Sequence, residues 1–156
     1  MSIGGRSFGS RVGGAALVCA LALVGSVAAQ TVQNPRRIAA GPNELILVAD
    51  RRHRAIIAVD QETLETAWSF ALPDEGAPFG LAATGRYLYI GNTKTMNVEV
   101  YRTPHGNPGS GPDIKFEYNL GHTTGLVGNP IAIDVDRKSR RVFVLDGADK
   151  QVNVAR

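Results

Sequence analysis

Three stretches of this sequence repeat one pattern, and that repetition limits the fold more than any other feature. They run from Pro35 to Asp50 (PRRIAAGPNELILVAD), from Pro78 to Asn92 (PFGLAATGRYLYIGN) and from Pro130 to Asp146 (PIAIDVDRKSRRVFVLD). Each reads as a proline, a short apolar strand, a polar turn, a second apolar strand and a closing Asp or Asn. A short polar loop and another strand follow each copy: RRHRAIIAVD, TKTMNVEVY and GADKQVNVA. Two copies then carry a fourth strand. In AWSFAL, Trp68, Phe70 and Leu72 share one side; in IKFEYNL, Ile114, Phe116, Tyr118 and Leu120 alternate with Lys115, Glu117 and Asn119.

Spacing turns the repeat into an architecture. The step from Pro35 to Pro78 falls within the roughly 40–45 residues of a four-stranded propeller blade. The step to Pro130 is longer, by a Gly/Pro-rich stretch from Thr103 to Pro112 (TPHGNPGSGP) that suits an exposed loop. The second strands, Leu45–Ala49, Tyr87–Ile90 and Val142–Leu145, are continuously apolar. A strand needs apolar residues on both sides only when both faces are covered, as in the middle of a blade with a neighbour on each side. The fourth strands alternate instead, as expected at a half-solvated outer edge. The expected fold is all-β: β-propeller blades of four antiparallel strands. Two are complete (35–72 and 78–120), and three strands of a third occupy 130–156.

The unit at residues 131–154, which ends in VFVLDGADKQVNV, resembles an NHL repeat. The unit Leu45–Asp60, followed by Thr66–Leu72 and the restart at Pro78, is similar to the YVTN family of bacterial propeller repeats. The resemblance spans residues 35–156 and implies the blade fold. It implies little about activity, because propellers host many unrelated functions. Closed propellers have at least four blades. The repeat count therefore predicts a fragment of a larger propeller, or blades from several chains completing one ring.

The first 29 residues stand outside the repeat. Arg6 and Arg11 precede an apolar run from Ala15 to Val24, and small residues follow, with Val27 and Ala29 placed for signal-peptidase cleavage. This is the pattern of a secretory leader, and the apolar run is short for a membrane span of roughly 20 residues. The expectation is export, to the periplasm or beyond, with no span left after cleavage. Loss of Arg6 and Arg11 brings the formal charge of +3 close to neutrality, so the basic overall balance says little about nucleic acid or membranes. The only cysteine, Cys19, lies in the apolar run, leaving neither a disulfide nor a thiol nucleophile in the remainder.

In a propeller, loops joining second to third strands and loops joining one blade to the next share one end of the ring. That end would gather Arg51, Arg52, His53, Arg54, Lys94, His122 and Lys150. Such a cluster points to an anionic ligand, carboxylated, phosphorylated or sulfated. Asp50, Asp74, Glu75, Asp146 and Asp149 offset it. The repeated Asp50, Asn92 and Asp146 are expected to cap their turns by accepting backbone N–H groups two residues on. The sharper alternative is a Ca²⁺ site built from the same carboxylates and amide. Asp134 and Asp136 are expected to cap the turn before Arg137–Arg141. No HExxH, Gly-x-Ser-x-Gly, phosphate-loop or dinucleotide pattern occurs, and basic residues do not interleave with aromatics as nucleic-acid binding would ask. The tyrosines and Trp68 fall at strand periods and read as packing. The sequence thus points to an exported, non-catalytic propeller that binds a protein or a small anionic ligand and needs no cofactor. The alternative is a metal-dependent propeller enzyme, a lactonase-like hydrolase or a lyase.

Overall fold

The computed structural model describes residues 31–103, 113–120 and 128–155. The expected leader, most of the Gly/Pro-rich stretch and His122 lie outside them. Among the described residues, eleven strands form three antiparallel sheets. The first contains β1 (Pro35–Ala40), β2 (Leu45–Asp50), β3 (Ala55–Asp60) and β4 (Thr66–Ala71) in that spatial order. The second contains β5 (Pro78–Ala83), β6 (Tyr87–Asn92), β7 (Asn97–Arg102) and β8 (Lys115–Leu120). The third contains β9 (Pro130–Asp136), β10 (Arg141–Asp146) and β11 (Gln151–Ala155). Each sheet is a meander of neighbouring strands, as the repeat predicts.

The sheets stack face to face like blades. The first strands β1, β5 and β9 lie side by side and wall a cavity of about 410 Å³. Arg37 crosses it, donating from Nη2 to the Ile131 carbonyl at 3.1 Å. Two apolar cores lie between blades. The first joins Leu47, Ala49, Ile56 and Ala58 of blade 1 to Leu81, Leu88, Ile90 and Tyr101 of blade 2. The second joins Ala82, Tyr89, Val98 and Val100 of blade 2 to Ile133, Val142 and Val144 of blade 3. Consecutive residues of β6 thus serve opposite neighbours: Leu88 and Ile90 face blade 1, and Tyr89 faces blade 3. That division explains why the second strands are apolar without alternation. Full burial of each such Leu or Ile contributes about 2–3 kcal/mol. A glycine is required where blade 3 comes closest, because a Cβ on Gly91 would collide with the Pro130 carbonyl oxygen. The far face of blade 3 leaves Leu145, Val152 and Val154 exposed, at 37%, 58% and 49%.

One register differs from the alternation read in the sequence. Phe116 pairs with Tyr101 and Tyr118 pairs with Val100, so Glu117 forms a bulge. A bulge sends the flanking side chains to opposite faces. Phe116 therefore stays on the Tyr101 side, 52% exposed, its ring 5.6 Å from Tyr101, which in turn lies 5.1 Å from Phe70. Tyr118 and Leu120 turn towards blade 3 instead. Glu117, expected as a plain solvated position, accepts Arg102 Nε at 2.6 Å.

Candidate anion-binding loop face

The second-to-third turns of the blades share one geometry. Each ends on a residue with positive φ: Arg54 (53°), Met96 (53°) and Lys150 (56°). Each begins just after a buried Asp or Asn, with Asp50, Asn92 and Asp146 at most 1% exposed. Asp50 Oδ1 accepts the N–H groups of Arg52 at 2.8 Å and His53 at 3.3 Å. Asn92 Oδ1 accepts Lys94 at 3.0 Å and Thr95 at 3.4 Å. Asp146 Oδ1 accepts Ala148 at 2.8 Å. These are the turn caps that the sequence predicts.

The same side chains also reach back to the segment leading into their own blade. Asp50 accepts Gln33 N–H at 2.7 Å and Asn34 N–H at 3.2 Å. Asn92 accepts Ala77 N–H at 2.9 Å. Asp146 accepts Asn129 N–H at 3.0 Å and the N–H of Gly128. One side chain per blade therefore pins the lead-in segment to the turn, fixing the loop face. Burial pushes the Asp50 carboxyl up, but hydrogen bonds from Gln33, His53 and Arg52 outweigh it and hold it at about 2. Asp146 is likewise held low against burial by the amides of Gly128, Ala148 and Asn129. The oxygens that would have suggested Ca²⁺ are thus occupied by amide donors. Among the described residues, no group of three or more His, Cys, Asp and Glu is arranged to hold a metal ion.

Four of the basic residues singled out in the sequence meet. Arg51, Arg52, Arg54 and Lys94 line one open cleft of about 570 Å³, together with Asn34, Glu75, Gly76 and Ala77. The cleft lies between the turns of blades 1 and 2 and the Pro73–Glu75 turn that links them. Arg54 Nη1 lies 3.1 Å and Lys94 Nζ 3.5 Å from Glu75 Oε2. The hydrogen bond and charge of Arg54, then those of Lys94, hold the Glu75 carboxyl below its ordinary value. The side chains of Arg51 and Arg52 have no ion pair among the described residues. A ligand carboxylate, phosphate or sulfate would thus meet two free guanidinium groups and two more cations shared with one exposed carboxylate. Planar guanidinium forks suit such oxyanions in bidentate geometry.

The other candidates lie elsewhere. His53 turns away from the cleft, its Nδ1 2.9 Å from Asp50 Oδ2. Lys150 stands exposed on the blade 3 turn and does not line the cleft. Of the Asp pair, Asp136 caps the β9–β10 turn through Lys138 N–H at 2.9 Å and Ser139 Oγ at 2.6 Å. Asp134 accepts the N–H of Val135 at 2.8 Å.

Sequence reading passed over Glu99. It is 8% exposed inside β7 and accepts Asn92 Nδ2 at 2.7 Å, Thr95 Oγ1 at 3.0 Å and the Tyr101 hydroxyl at 2.8 Å. Burial, and then the hydrogen bond to Glu99, push the Tyr101 hydroxyl well above its ordinary value. The signal for Glu99 was present: an acid in the middle of a strand whose two faces are both covered.

No protein-family model matches the sequence, and no curated protein matches it by sequence. Solved structures do match its fold. Hydrazine synthase of Kuenenia stuttgartiensis superposes with a TM-score of 0.58 at 17% identity, over 84% of this chain and 35% of that one. Virginiamycin B lyase of Staphylococcus aureus, a catalytically inactive variant with quinupristin, superposes with a TM-score of 0.50 at 14% identity, over 77% of this chain and 40% of that one. This chain therefore spans well under half the length of either neighbour. Both are propeller-type proteins, and with the stacked meanders they identify the chain as a set of β-propeller blades.

Proposed function

We propose that this chain is the blade segment of an exported, non-catalytic propeller that binds an anionic ligand, free or carried on a protein, at its loop face. The observation that carries this reading is the convergence of Arg51, Arg52, Arg54 and Lys94 on one cleft whose lining holds a single carboxylate, Glu75. Export rests on the leader pattern ending at Ala29. Among the described residues, no helix is long and apolar enough to cross a membrane.

Calorimetric titration with citrate, inorganic phosphate and a sulfated disaccharide tests the cleft. At least one is expected to bind, more weakly as salt rises. Arg51→Ser with Arg52→Ser is expected to weaken it about tenfold, and Glu75→Gln to strengthen it about threefold by freeing two cations. Failure of all three to bind, or binding indifferent to the double variant, refutes the reading. Export is checked by sequencing the N-terminus of the mature protein, with Gln30 expected first.

The second reading is a metal-dependent propeller enzyme, and its support is that both structural neighbours are enzymes. Metal-stimulated lactone hydrolysis or lyase turnover by the purified protein would put it in first place.

A further inference from the structure

A second cavity lies between blades 2 and 3, at the end of the stack opposite the cleft. Antiparallel order places the first-to-second turns at that end, and the cavity sits beside two of them, around Gly85 and Arg140. Its volume is about 690 Å³, within the range of roughly 300–1,000 Å³ typical of small-molecule sites. Tyr87, Tyr89 and Tyr118 form an aromatic wall, and Leu120, Val135 and Val142 continue it as an apolar floor. Arg86, Arg137 and Arg140 complete the lining, which includes no Asp or Glu.

The rings of Tyr87 and Tyr89 meet edge to face at 6.4 Å. None of the hydroxyls of Tyr87, Tyr89 and Tyr118 has a hydrogen-bond partner among the described residues. The hydroxyls of Tyr87 and Tyr89 are not buried and Tyr118 is exposed, so all three are open to a ligand. Tyr118 is 46% exposed, so the cavity is open to entry. It owes that position to the bulge at Glu117, which turns Tyr118 towards blade 3 and away from Phe116. Arg137 donates from Nη2 to the Ala83 carbonyl at 3.4 Å, and the side chains of Arg86 and Arg140 have no ion pair among the described residues. Three cations around an aromatic recess repel one another until an anion arrives, and guanidinium planes also stack on aromatic rings.

We infer that this inter-blade cavity is a binding site for a small aromatic anion: the tyrosines and the apolar floor take the ring, and Arg86, Arg137 and Arg140 take a carboxylate, sulfonate or phosphate. The charge of the lining selects the anion and the apolar surface selects the ring, so neither half of the ligand suffices. The site is independent of the loop-face cleft, and neither reading depends on the other.

Calorimetric titration of the full chain with naphthalene-2-sulfonate, 2-naphthol and inorganic sulfate separates the two halves. The sulfonate is expected to bind about tenfold more tightly than either fragment. Arg137→Gln with Arg140→Gln is expected to weaken it about tenfold, and Tyr118→Ala about fivefold. All these titrations use the Arg51→Ser, Arg52→Ser background, so that the cleft at the opposite end does not contribute to the anion binding that is read. Circular dichroism confirms that each variant is folded, and the single variant Arg86→Gln replaces the double variant if that one is not. The inference is overturned if the sulfonate binds no better than sulfate or 2-naphthol. It is equally overturned if folded Arg and Tyr118 variants bind as that background does.

Discussion

Blades 1 and 2 solve the same problem with different chemistry. Both pin a lead-in segment to a turn through one buried side chain at the end of the second strand. In blade 1 that side chain is Asp50, and both carboxylate oxygens accept backbone N–H groups. In blade 2 it is Asn92, with one oxygen to accept and an NH₂ group that must donate. The oxygen takes Ala77, Lys94 and Thr95, while the NH₂ needs a buried acceptor and finds Glu99. Glu99 in turn needs further donors, supplied by Thr95 and Tyr101. Exchanging one carboxylate for an amide thus requires a buried acceptor nearby, here Glu99, because a buried polar group left unpaired costs about 1–3 kcal/mol. Blade 3, with Asp146, follows blade 1.

The sharpest way to break this comparison is Asn92→Asp. A carboxylate there would face Glu99 across the present 2.7 Å contact. Two buried like charges are costly, so a loss of about 3 kcal/mol at neutral pH is expected. Denaturant unfolding across pH checks it. One of the pair should protonate as pH falls, so the variant should recover stability towards acid.

The unaltered chain should behave in the opposite way. Asp50 is held at about 2 in the fold, below its ordinary 3.8. Its contribution is therefore complete above pH 3.8 and is lost as pH falls towards 2. The shift corresponds to about 2 kcal/mol. Asp50→Asn removes that titration and sets an NH₂ group against the N–H of Gln33. A loss of about 2 kcal/mol at neutral pH is expected, with a flatter acid limb in the same unfolding series.

Two smaller changes sharpen the comparison. Glu99→Gln keeps an oxygen for Asn92 and Thr95, and the Tyr101 hydroxyl can reverse its role, so about 1 kcal/mol should be lost. A thermal melt would reveal a larger loss if the charge itself were needed. Thr103 lies buried at the end of blade 2 with no partner for its hydroxyl among the described residues. Thr103→Val should stabilise the chain by about 1 kcal/mol, read as a higher denaturation midpoint.

Much of the fold can be read from local chemistry. Two-residue periodicity, polar turns and the prolines at 35, 78 and 130 place the strands, because side chains alternate along a strand wherever one face is dry. The Asp and Asn caps are legible for the same reason: their turn partners lie two or three residues away. The loop face is legible in part. Arg51, Arg52, Arg54 and Lys94 meet as the strand order predicts, while His53 turns to Asp50 because a buried carboxylate draws the nearest donor.

The sequence by itself determined the blade repeat, the order of strands and the closing Asp or Asn of each second strand, all set by neighbours in the chain. Tertiary structure alone decided which face each residue of β8 serves, because a bulge is a property of strand pairing and not of composition. It also decided that Asp50, Asn92 and Asp146 pin segments 15 to 18 residues upstream, and that Asn92 requires Glu99. Finally, it set Tyr118 beside Tyr87 and Tyr89 under the arginines of two blades. These are residues distant in the chain brought together by packing, and only the packed blades show which groups share one space.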